Sequence, residues 1–120
     1  MNRLDVILKT EAMTSNIIKN ITGTTAELAA YYKECLIQAE SEEIETLYFE
    51  SIEFDPTPST NFQSIAMIER TIMAFLGEHS FPKKVVVACT NDEQAKLYKV
   101  VYNFYFPGIK ADRLDDDSWD

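Results

Sequence analysis

Three glycines and one histidine are all that this chain of 120 residues has for building tight loops or an imidazole-based site. A phosphate cradle needs backbone N–H groups brought close by glycine, and no glycine-rich loop occurs. His79 has no partner beside it in sequence for general-base work; it follows a predicted helix stop, where a protonated imidazole suits the helix dipole. The two cysteines, Cys35 and Cys89, belong to no Cys-x-x-Cys pair, and with one histidine they supply too few zinc ligands at the wrong spacing. They read as buried free thiols, the sharper alternative being a nucleophile activated by His79.

Basic residues are also scarce. Eleven Lys and Arg face twenty Asp and Glu, the net charge is −9, and no basic stripe emerges, which argues against binding the backbone of a nucleic acid. Such a surface keeps a protein soluble, and it can also meet a basic partner or imitate a nucleic acid towards another protein. No run approaches the roughly 20 apolar residues of a membrane span, and Met1-Asn2-Arg3-Leu4-Asp5 lacks the layout of a signal peptide, so no membrane contact and a cytoplasmic location are expected.

What the chain does have is alternation. Apolar runs at Leu4–Leu8, Thr46–Phe54 and Val85–Ala88 read as strands, each leading towards a Ser/Thr-x-x-Glu/Gln helix start at Thr24/Glu27, Thr60/Gln63 and Thr90/Glu93. Leu28, Tyr32, Cys35, Leu36 and Ala39 form the apolar face of a helix over Ala26–Ala39. Ile65, Ile68, Ile72, Phe75 and Leu76 form that of a second helix, which Gly77 is expected to end in a left-handed conformation. Ala95, Tyr98, Val101, Tyr102 and Tyr105 mark a third, from Asn91 to about Phe104 and closed by Pro107-Gly108. Ile17, Ile18 and Ile21 fit a short helix within Thr14–Ile21. The segment Lys84–Cys89 is apolar on both faces, as in a central strand covered by helices on each side.

Strands alternating with helices imply βαβ units and one small α/β domain over residues 1–110, followed by an acidic flexible tail over 111–120 in which Trp119 is a candidate docking residue. Three strands leave two edges, so a further strand near the N-terminus or a partner chain along an edge is expected.

Two segments carry a family resemblance. Glu27–Glu40, with Ala30-Tyr31 leading its helix, runs into Glu45–Phe49; Ile65–Leu76 is followed by Lys84-Val85-Val86-Val87-Ala88-Cys89-Thr90-Asn91-Asp92-Glu93 and Tyr98. Together they resemble the C-terminal half of a macro domain: a helix entering the strand before the phosphate loop, then helix, last strand and final helix. The resemblance implies a small three-layer macro-like fold, with a narrow, mostly parallel sheet flanked by helices. It also implies ADP-ribose as the ligand class. The family's diphosphate loop falls on Glu50–Pro58, however, where Glu53 and Asp55 would repel phosphate and Pro56 and Pro58 have no N–H to offer. No family site residue carries over.

Ligands in open α/β sheets gather at the carboxyl ends of strands. Glu50, Glu53 and Asp55 are there, as a cation site or acid and base pair if they converge, and Ser59, Thr60 and Asn61 could hold an anion at a helix N-terminus. Tyr98, Tyr102, Tyr105 and Phe106, with Phe104, Tyr31, Tyr32 and Tyr48, exceed what one helix stripe buries, so some are expected at an interface. The leading expectation is a non-catalytic macro-like domain that binds a protein partner or itself, as a homodimer, without a cofactor or metal. The alternatives are a domain that binds or hydrolyses an ADP-ribose-like nucleotide through a rebuilt loop, and an acidic inhibitor of a basic or nucleic-acid-binding protein.

Overall fold

The computed structural model describes residues 3–8, 17–19 and 23–106. The tail over 111–120, Trp119 and the Pro107-Gly108 stop lie outside the described residues. In chain order the elements are β1 (Leu4–Leu8), β2 (Ile17–Ile18), α1 (Thr25–Ser41), β3 (Thr46–Glu50), α2 (Pro58–Leu76), β4 (Lys84–Cys89) and α3 (Asp92–Tyr105). This is an α/β domain in which three full strands, β1, β4 and β3 in that spatial order, lie parallel and alternate with three helices. The two residues of β2 pair along the outer side of β3, Ile17 beside Tyr48 and Ile18 beside Phe49. That short strand replaces the helix expected around Ile17 and Ile18: adjacent β-branched side chains suit opposite faces of a sheet edge.

Register decides where the core forms. Leu4, Val85 and Leu47 are neighbours across the sheet, as are Val6, Val87 and Phe49. All six side chains project from one face. They join a single cluster with Leu28, Tyr32 and Leu36 of α1, Ile65, Ile68 and Ile72 of α2, and Tyr98, Val101 and Tyr102 of α3. All three helices therefore lie on the same face, and the described residues form two layers. The third expected layer falls outside the described residues, and crossover geometry accounts for the two that are seen. The chain steps from β2 to β3 to β4 in one direction, and right-handed connections then place α1 and α2 on one side, with α3 continuing over β4 and β1. Val86 and Ala88 are buried on the opposite face, at 4% and 0% exposure, although no described helix covers them.

The helix starts follow cap chemistry. Thr24 and Glu27 form the expected reciprocal box, 2.8 and 3.1 Å. For α2 the cap is Thr57, with Pro58 in the first turn, and the expected Thr60/Gln63 pair lies inside the helix; proline's fixed φ is already suited to a first turn. For α3 the expected Thr90/Glu93 pair moves by one residue. The Asn91 side chain accepts from the Gln94 N–H at 2.9 Å, and the Gln94 side chain accepts from the Thr90 N–H at 2.9 Å.

The end of α2 is held by Arg3, which the sequence pattern does not single out. Its guanidinium donates to the carbonyls of Leu76, His79, Ser80, Pro82 and Lys83, and so fastens the α2–β4 connection to the start of β1. Gly77 is right-handed, φ −67°, and not left-handed as expected, its N–H bonding back to the Met73 carbonyl so that the helix runs on by one residue. Planar forked donors suit such a cluster of acceptors, whereas an ammonium is a point charge. Arg3→Ala is expected to cost about 2 kcal/mol in urea unfolding, with Arg3→Lys recovering only a minor part of it.

Candidate functional site

Beyond Glu50 the chain leaves the sheet, since the Ser51 N–H makes one last bond to the Ala88 carbonyl at 2.9 Å. The expected strand over Thr46–Phe54 is thus four residues shorter. Ile52 turns into the core at 6% exposure, and its N–H donates to the Tyr98 hydroxyl at 3.1 Å. The loop from Ser51 to Thr57 then rims a polar cavity of about 510 Å3 between the N-terminal ends of α1 and α2. Glu50, Glu53 and Asp55 reach this cavity, and so do Thr60 and Asn61; Ser59 is exposed and does not line it. Lys19 stands among the carboxylates. Among the described residues no three carboxylate, thiol or imidazole groups converge as a metal site would require.

Two of these residues build the loop itself. Asn61, 6% exposed, accepts from the Asp55 N–H at 2.7 Å and donates to the Asp55 carbonyl at 2.8 Å, so both ends of its amide are committed. The Asp55 carboxylate accepts from the Thr57 N–H at 2.9 Å and tightens the turn before α2. An anion arriving at this helix end would compete with bonds already made and meet three carboxylates.

Behind the loop lies a buried polar group at the carboxyl ends of β3 and β4. The Ser51 side chain bonds the Ile52 carbonyl at 2.9 Å, while Cys89 and Tyr98 are fully enclosed. Burial pushes the Cys89 thiol up to about 12, with Ser51 and Lys99 offsetting only part of that rise, so it is no nucleophile at neutral pH. Burial also raises Cys35. His79 stacks on Phe75 at 3.9 Å between ring centroids and pairs with Glu40 rather than with a thiol.

Glu69 of α2 is 1% exposed, with neither carboxylate oxygen hydrogen-bonded. Burial beside Cys89 and Tyr98 raises its pKa well above the usual carboxylate range.

The aromatic residues divide sharply. Tyr98 and Tyr102 are at 0% exposure and belong to the core, which removes them from any surface on the folded chain; Tyr105 and Phe106 reach solvent at the end of α3. The surface instead gathers Phe62, Phe104 and Tyr105. Phe62 meets Phe104 edge-on at 5.7 Å, Phe104 meets Tyr105 edge-on at 5.0 Å, and the Arg70 guanidinium lies 5.6 Å over the Tyr105 ring. Phe104 remains 65% exposed and Val100, one turn earlier, 41%. From Val100 an apolar groove of about 630 Å3 continues past Leu97 to Phe54, Pro56 and Pro58, with Glu93 and Lys96 on its rim. Phe104 is one of the aromatic residues expected at an interface, whereas Phe62, half-buried at the start of α2, carries no such signal in the sequence.

Two outcomes test this account. Asn61→Ala should cost about 1 kcal/mol, the loss of two half-buried bonds to the Asp55 backbone, and should speed hydrogen exchange at Asp55. For Glu69 the folded value is raised, so its contribution is complete below the unfolded value near 4.5 and is lost as pH rises towards the folded value. The urea midpoint of the natural chain should therefore fall with rising pH relative to that of Glu69→Leu; parallel profiles would show that Glu69 titrates alike in both states.

No model of a protein family matches this chain, and no curated protein matches it in sequence.

Proposed function

We propose that this chain is a non-catalytic, diverged macro-like domain that acts by binding a protein surface. The reading rests on the exposed aromatic cluster of Phe62, Phe104 and Tyr105, which continues into the groove beside α3. Aromatic rings and arginine are the side chains that carry most binding energy at protein interfaces, and an apolar surface of this kind favours a partner over water. Support also comes from the opposite corner. The loop that a nucleotide diphosphate would need is occupied by Glu53, Asp55 and two prolines, and its one buried amide, Asn61, is spent on Asp55.

Two experiments bear on it. A photo-crosslinking phenylalanine analogue placed at Phe104 should give protein adducts on irradiation of cells expressing the chain. The same analogue at Ile37, also exposed but on α1, should give none. Calorimetric titration with ADP-ribose at low salt should show no saturable heat. Micromolar binding, or the absence of adducts at position 104, would overturn the reading.

A further inference from the structure

We propose that two copies of this chain pair through α3, with the two helices antiparallel and the two-fold axis passing between Leu97 and Val100. This rests on the reading that the aromatic surface binds protein, and it names the partner as a second copy.

The spacing of the outward residues is the first argument. Glu93, Leu97, Val100 and Phe104 follow one another at four, three and four residues, the interval of a helix seam that meets another helix. Their side is opposite the buried Ala95, Tyr98, Val101 and Tyr102.

The second argument is shape. Phe104 projects as a knob at the C-terminal end of the seam. The groove bounded by Leu97, Val100, Phe54, Pro56 and Pro58 is a hole at its N-terminal end. A two-fold interface makes each contact twice, so it needs both halves on one molecule. Eleven residues separate Glu93 from Phe104, about 16 Å along the helix. Antiparallel pairing over that length sets Phe104 of each copy in the groove of the other, with Leu97 meeting Val100 at the centre.

Charge supplies the third argument and chooses the direction. Asp92 and Glu93 stand exposed at the start of α3, and Arg70 stands exposed over Tyr105 at its end. Antiparallel pairing brings Glu93 of each copy towards Arg70 of the other. Parallel pairing would place like charges together at both ends, and like-charge contacts are what exclude wrong arrangements at interfaces.

Sedimentation equilibrium across a concentration series tests the pairing. The natural chain should form a dimer. Glu93→Arg and Arg70→Glu should each weaken it on the order of tenfold, and the double variant should return close to the natural value, because the reversed charges again face one another. Phe104→Asp should leave a monomer with unchanged circular dichroism. Should that variant misfold, the charge-reversal cycle decides alone, since both of its residues are exposed. A natural chain that stays monomeric to millimolar concentration overturns the proposal, as does a double variant no better than the singles. A monomer that still forms adducts at position 104 with other proteins sinks this pairing and leaves the binding reading standing; a dimer without those adducts, insensitive to Arg70 and Glu93, sinks both.

Discussion

One sheet face has to bury the apolar sides of three helices, and most of the molecule's other features follow from that constraint. The rows Leu4-Val85-Leu47 and Val6-Val87-Phe49 offer a narrow strip of side chains. To use it, α1 and α2 pack closely on each other, Tyr32 lies against Phe49 at 4.5 Å between ring centroids, and α3 is pushed to the side of β4 and β1. Large tyrosines fill the space between layers. Their hydroxyls are then committed to the interior, as with Tyr98 and the Ile52 N–H, because a buried hydroxyl without a partner is costly.

The same crowding explains where polar groups are trapped. Glu69 sits on the α2 side near Cys89 and Tyr98, where no donor among the described residues reaches it, and burial raises its pKa in consequence. Arg3 solves the opposite problem. A helix end and the connection after it leave several carbonyls without backbone donors, and one guanidinium reaches five of them from the residue just before β1. The arginine therefore joins the chain's beginning to the α2–β4 connection, and the fold closes through residues far apart in sequence.

Function is drawn to what is left over. With its inner side in the core, α3 presents Val100 and Phe104 outward, and the neighbouring loop adds Phe54 and two prolines. At the carboxyl ends of the strands, the usual place for a ligand, the loop is instead acidic and held shut on itself by Asn61. The chain thus combines an acidic loop at the strand ends with exposed aromatic side chains along α3.

Periodicity and composition alone determined the three helices, the strands at Leu4–Leu8 and Lys84–Cys89, and most of each helix's buried face, though Tyr105, expected on the α3 stripe, is exposed at 38%. These features depend on local spacing and apolar burial. The Thr24/Glu27 cap was legible for the same reason, being a bond between residues three apart. Tertiary structure alone decided that the three described helices share one face, that Ile17 and Ile18 pair with β3, and that the Asn61 amide fastens the loop through Asp55. It also decided which tyrosines are core and which aromatic rings face outward. These outcomes turn on contacts between segments many residues apart, such as Arg3 with Leu76 or Ile52 with Tyr98, and a linear pattern carries no record of which distant partner a side chain will meet.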